Sequence, residues 1–120
     1  MRLLWSQDAV NDRTGIFDWF LTENPAAALS TDAAIARHTR RLRQFPHLGR
    51  PGRVSGTREL PLPRTPFIVV YQVNQEDIIL LRILHGARLW PPPIPRHDQR
   101  PVARILMRAC RRPYPVKNIL

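Results

Sequence analysis

The stretch Pro66-Phe-Ile-Val-Val-Tyr-Gln-Val-Asn-Gln-Glu-Asp-Ile-Ile-Leu-Leu-Arg-Ile-Leu-His85 decides the fold. It holds two β-rich runs, Pro66 to Asn74 and Asp77 to His85, joined by a short polar turn through Gln75 and Glu76. A third such run, Thr57 to Pro63, precedes them, so the expectation is an antiparallel meander of three strands. Strict alternation in the last run gives Ile79, Leu81 and Ile83 one face, expected to pack on helices, and Ile78, Leu80, Arg82 and Leu84 the other. Arg82 is thus expected on the open face, and His85 where the strand runs out at the sheet edge.

Upstream, Arg2 to Trp5 is a short apolar segment compatible with an edge strand. Ser6 offers an N-cap with Asp8 in the first turn behind it, and Val10, Ile16, Phe17, Phe20 and Leu21 recur at near-helical spacing, which predicts a helix over 7–22. Asn24-Pro25 places a capping side chain before a proline at the first helical position and opens a second helix. Its apolar stripe is Ala28, Ile35, Leu42 and Phe45, ending near Phe45-Pro46, with Arg37, Arg40 and Arg41 on the opposite face. His47 to Gly56 reads as a loop with turn glycines, because it lacks the Lys-Ser/Thr pair and the strand-to-helix context of a phosphate-binding loop.

Composition narrows the function. In 120 residues, 19 basic side chains stand against 9 acidic ones, a net charge of +10 that implies a polyanionic or acidic partner. The charge is zoned: residues 1–35 sum to −3, 36–64 to +7, 65–90 to zero and 91–120 to +6. All the basic residues but Lys117 are arginine, whose planar fork suits phosphates and carboxylates. The longest apolar stretches fall far below the roughly 20 residues a bilayer-spanning helix needs. Met1 to Trp5 has no apolar core behind it of the kind a secretory signal carries, so a cytoplasmic protein is expected. The single Cys110 allows no internal disulfide, and the four scattered histidines show no zinc-ligand spacing, so neither metal nor cofactor is expected.

Pro91-Pro92-Pro93 ends the main domain, since neither a helix nor a central strand crosses it. The expected division is a domain over 1–91 and a basic, proline-rich extension over 92–120. Within the extension Val102, Ile105, Leu106, Ala109 and Cys110 trace an apolar stripe beside Arg104, Arg108, Arg111 and Arg112, so a helix around 101–112 is one reading. It would pack on the open sheet. An unfolded tail, favoured by seven of the 13 prolines falling after Trp90, is the other.

The order strand, helix, helix, meander resembles the RelE/ParE superfamily of toxins from type II toxin–antitoxin systems. The resemblance is carried by Trp5-Ser6, Asn24-Pro25-Ala26-Ala27, Gly56-Thr57-Arg58-Glu59-Leu60 and Ile83-Leu84-His85-Gly86-Ala87-Arg88-Leu89-Trp90-Pro91, and covers about residues 1–91. It implies a small α+β domain, two N-terminal helices packed on a twisted antiparallel sheet. It also implies a growth-inhibiting, plasmid-stabilising toxin neutralised by a cognate antitoxin in a hetero-oligomer.

Two mechanisms divide the superfamily. RelE-like members are similar to ribonucleases that cut messenger RNA on the ribosome, a chemistry needing a base, an acid and a cation for the phosphorane-like charge. By resemblance, Arg58 and Arg82 would clamp the phosphate and His85 would act as acid or base. Glu59 is a weaker candidate base, and Arg50, Arg53 and Arg88 would grip RNA or another target. ParE-like members look like proteins that trap DNA gyrase through a docking surface alone, and the Gly-Thr-Arg-Glu and His-Gly-Ala-Arg-x-Trp-Pro strings favour that branch. The chain would be an enzyme only on the first reading. An acidic antitoxin segment is expected on Arg37, Arg40 and Arg41. For Arg58 with Glu59 the structural alternative is a mutual ion pair, and for Trp90 a place in the core. A generic nucleic-acid binder is the third reading, but no helix-turn-helix, zinc finger or aromatic RNA-binding strand motif supports it.

Overall fold

The computed structural model describes residues 1–86 and the pair Tyr114–Pro115. Its elements run β1 (Arg2–Trp5), α1 (Gln7–Glu23), α2 (Pro25–Arg41), β2 (Arg50–Pro51), β3 (Arg58–Pro61), β4 (Phe67–Val73), β5 (Asp77–His85) and β6 (Tyr114–Pro115). The sheet order is β2-β3-β4-β5-β1-β6. Neighbours from β2 through β5 are antiparallel, as the meander predicts, whereas β1 joins β5 in parallel with Leu4 opposite Ile79. β1 is therefore not an edge strand, because β6 pairs along its outer side.

Both helix starts are set by capping side chains. Ser6 Oγ accepts the Ala9 N–H at 3.1 Å and donates to Leu81 O at 3.0 Å, so one hydroxyl caps α1 and ties it to β5. Asn24 Oδ1 accepts from Ala27 N at 3.2 Å, and Pro25 opens α2 where its missing N–H costs nothing. α2 stops at Arg41, earlier than Phe45-Pro46. Ala28, Ile35 and Leu42 are buried as expected, but Phe45 is exposed. On α1, Val10, Ile16 and Phe20 pack partly into the core, while Leu21 is exposed and Ala9 and Arg13 are buried. Arg13 lies 5.1 Å over the Trp5 ring and pairs with Asp32 of α2 through Nε at 2.6 Å and Nη2 at 3.0 Å. A buried cation thus fastens the two helices together.

The faces of β5 depart from strict alternation. A register shift between Val70 and Tyr71 sets Val70 opposite Arg82 and Tyr71 opposite Leu80, leaving Leu81 as an extra residue. In consequence Ile78, Leu80 and Ile83 join Trp5, Ile35, Leu42, Phe67, Val69 and Tyr71 in the core under the helices. Ile79, Leu81 and Leu84 join Val70 and Val54 in a second cluster on the other face. The polar turn before β5 is held by Asn74 Oδ1, which accepts from Glu76 N at 3.1 Å and Asp77 N at 2.7 Å.

Candidate functional site

The segment read as a plain loop contains β2, and its geometry centres on Glu59. Arg50 and Pro51 pair with Glu59 and Arg58, so the chain doubles back on β3. The Glu59 side chain is 2% exposed; its Oε2 accepts from Arg53 N at 2.8 Å and Arg53 Nε at 3.2 Å, and its Oε1 lies 3.8 Å from Arg50 Nη2. A buried carboxylate needs such compensation, and here one group orders both the backbone and the arginines of the 50–57 turn. Gly56 closes that turn at φ 84°, open to glycine with little strain. Arg50 and Arg53 remain well exposed beyond the carboxylate.

Arg58 does not pair with Glu59. Its Nη1 donates to Gly49 O at 2.6 Å, and Tyr71 OH both accepts from Gly49 N and donates to Pro46 O, each at 2.8 Å. Burial raises the Tyr71 phenol above its ordinary pKa, against the lowering effects of the Gly49 N–H and the Arg58 cation. A Cβ on Gly49 would fall 2.7 Å from Tyr71 Oη and 2.9 Å from Glu59 O, so a glycine is required for this close approach.

Arg82 is not displayed on an open face. Its Nε lies 2.7 Å from Asp12 Oδ2 and its Nη2 3.1 Å from Asp12 Oδ1, while Ile83 N donates to the same Oδ2 at 3.0 Å. Arg82 shares a row with Val70 and Glu59, whereas Arg58 shares the neighbouring row with Tyr71 and Leu80. Successive rows point to opposite faces, so the register does not bring Arg58 and Arg82 to one phosphate. His85 is exposed at the end of β5, its ring edge-on to Phe67 with centroids 5.9 Å apart. It borders a cavity of about 520 Å³ with Asp12, Ile16, Trp19, Phe20 and Ile83.

The predicted arginine face of α2 forms a separate concavity of about 610 Å³, lined by Arg37, Arg40, Arg41, Arg43, Gln44 and Met1. Among the described residues no carboxylate lines it. Burial chiefly, then the Arg37 and Arg41 cations, lowers the His38 pKa below its ordinary value. Arg88 and Trp90 lie outside the described residues, as does the expected helix around 101–112.

Asp12, Arg13 and Tyr71 were not among the expected site residues. A signal for two of them existed: Asp12 stands one turn before Ile16 and Arg13 one turn after Val10, so both charges fall along the apolar stripe of α1. A charge on the core side of a helix announces a partner. Nothing comparable marks Tyr71, whose hydroxyl meets residues more than 20 positions away.

Residues 3–90 match the family described as "ParE toxin of type II toxin-antitoxin system, parDE". The chain is 32% identical over 90 residues to the protein named "Putative toxin Y4kP" of Sinorhizobium fredii, covering 75% of this chain and 93% of that one. Among solved structures it is similar to a chain of the "Chromosomal ParDE TA system from P. aeruginosa", with 34% identity and a TM-score of 0.65 over 69% of this chain and 92% of the other. No helix among the described residues is long and apolar enough to cross a membrane.

Proposed function

The chain belongs to the ParE toxin family and is the toxin of a type II toxin–antitoxin system with an antitoxin as its partner, and we propose that it arrests growth by binding DNA gyrase rather than by cutting RNA. The observation that carries this reading is the engagement of Arg82, Arg58 and Glu59, three of the residues a RelE-like mechanism would use. Arg82 is forked onto Asp12, Arg58 is spent on a loop carbonyl, and Glu59 is buried under Arg53. Arg58 and Arg82 lie in rows facing opposite ways. A general base must reach the proton it removes, and a phosphate clamp must converge on one anion; this arrangement favours neither. Arg50 and Arg53, with their guanidinium groups exposed on an ordered turn, suit a docking surface instead. The antitoxin is proposed to lay an acidic segment along Arg37, Arg40, Arg41 and Arg43, where the concavity offers four cations and, among the described residues, no carboxylate. The work of such a toxin places it in the cytoplasm.

The test is supercoiling of relaxed plasmid by purified gyrase with and without the purified chain, beside incubation of the chain with translating ribosomes. Dose-dependent loss of supercoiling with intact messages is expected. Message cleavage with unaffected supercoiling would establish the RelE-like alternative.

A further inference from the structure

The arginines of the described residues fall into two sets. Arg2, Arg13, Arg50, Arg53 and Arg82 each have a carboxylate within 3.8 Å, and Arg58 donates to a main-chain carbonyl. Arg37, Arg40, Arg41 and Arg43 line one concavity, and among the described residues their guanidinium groups have neither a carboxylate nor a carbonyl acceptor. Closing α2 does not account for them. The main chain already satisfies the end of the helix: Leu42 N donates to Thr39 O at 3.1 Å, Arg43 N to Arg40 O at 3.2 Å and Phe45 N to Arg41 O at 3.0 Å. The negative end of the helix dipole favours cations in the last turn, but Arg37 stands before that turn and Arg43 after it. Burial, and after it the Arg37 and Arg41 cations, holds down the pKa of the intervening His38, so these charges are felt by their neighbours rather than neutralised.

Spacing gives the set its chemistry. Arg37 and Arg41 are one helical turn apart with Arg40 beside them, which separates successive anchors by about 5–6 Å, and Arg43 and Met1 border the concavity from outside the helix. Its volume of about 610 Å³ falls within the roughly 300–1,000 Å³ of small-molecule sites. A guanidinium fork takes two oxygens of one phosphate, so several forks at this spacing suit a linear run of phosphates better than one isolated oxyanion.

We propose that this concavity binds a linear oligophosphate, free or carried on a nucleoside, and that the ligand and the antitoxin exclude each other there. The exclusion rests on the antitoxin occupying these arginines; the phosphate site does not. Both partners neutralise the same four cations, so each lowers the affinity for the other by the same factor. Release of the toxin from its antitoxin is thereby tied to the supply of phosphate chains.

Calorimetric titration of the full chain with tripolyphosphate, ATP and orthophosphate at one fixed ionic strength tests the site, because screening is then equal for all three. Tripolyphosphate should bind at least about 10-fold more tightly than orthophosphate, and Arg41→Gln should weaken it about 10-fold. Arg64→Gln, which removes the same charge from the turn between β3 and β4, should leave it nearly unchanged. ATP binding more tightly than tripolyphosphate assigns the nucleoside-carried source, and the reverse assigns the free chain. Equal affinity for tripolyphosphate and orthophosphate overturns the site, as does an equal loss in the two variants, which would reflect net charge alone. Tighter binding of an oligothymidylate through the same arginines overturns it too, because the surface would then track nucleic acid. Bound antitoxin should leave as tripolyphosphate is added. Antitoxin that stays while the Arg41-dependent site fills overturns the exclusion and moves the antitoxin elsewhere, with the phosphate site standing. Antitoxin binding lost on charge reversal at Arg37, Arg40 and Arg41, in a chain that takes no tripolyphosphate, overturns the proposal and leaves the antitoxin on α2.

Discussion

Asp12 of α1 receives three hydrogen bonds from one stretch of β5: Arg82 Nε at 2.7 Å, Arg82 Nη2 at 3.1 Å and the Ile83 main-chain N–H at 3.0 Å. Both charged side chains are mostly buried, so the pair fixes the helix on the strand where the register shift has just turned the chain. Asp12→Ala removes the acceptor of all three bonds, and we expect a loss of about 2–4 kcal/mol. Thermal or urea unfolding checks this. Arg82→Ala should cost a similar amount, and a variant that loses toxicity at full stability would show Arg82 acting outside the fold.

Glu59 organises the turn that presents Arg50 and Arg53. Glu59→Ala removes the acceptor of Arg53 N and should cost about 1–3 kcal/mol while loosening residues 50–57. Tryptic cleavage after Arg53 should accelerate in this variant ahead of global unfolding. Equal rates in the two chains would mean that the turn is ordered by other contacts.

The Tyr71 hydroxyl bridges Pro46 O and Gly49 N, which pins the connection from α2 to the sheet. Tyr71→Phe keeps the ring packed and isolates the two backbone groups, for an expected loss of about 1–3 kcal/mol. Gly49→Ala should be at least as damaging, since its Cβ meets both the phenol and the β3 backbone. Urea midpoints of the two variants decide it.

The α2 arginines give a salt-dependent prediction. Charge reversal at Arg37, Arg40 and Arg41 should weaken antitoxin binding, and by a larger factor at low ionic strength, where screening is weak. Titration of the antitoxin at two salt concentrations reads this out. Unchanged affinity at both would move the antitoxin elsewhere.

His38 supplies a pH dependence. Its folded pKa is lowered, chiefly by burial and then by Arg37 and Arg41, so the unfolded chain binds its proton more readily. The sign follows: the contribution is fully present above the unfolded value near 6.5 and is lost as pH falls toward the folded value. Stability should decline on acidification below about pH 6.5, and His38→Gln should flatten that part of the profile.

Much of this was legible in the sequence because it is set locally. Ser6 and Asn24-Pro25 start helices through bonds to residues three positions on, and Asn74 shapes its own turn. The faces of β5 were not legible. Ile78 to Leu81 is apolar throughout, both faces of the sheet are buried there, and no residue marks the extra position at Leu81. That single shift exchanges the expected faces of Ile78, Ile79, Leu80 and Leu81. Arg58 and Glu59 are neighbours in sequence with opposite charges, yet they face opposite sides of β3 and find partners in the 49–53 segment. The shared face of Arg37, Arg40 and Arg41 on α2, by contrast, follows from helical spacing alone, and these residues line one concavity.

Pulse labelling after tightly controlled induction tests the central claim most directly, with DNA and protein synthesis followed separately within the first minutes. A gyrase-binding toxin stops DNA synthesis first while messages stay intact. Early collapse of protein synthesis with cleaved messages, lost on Arg82→Ala in a chain that still folds and binds antitoxin, would contradict it.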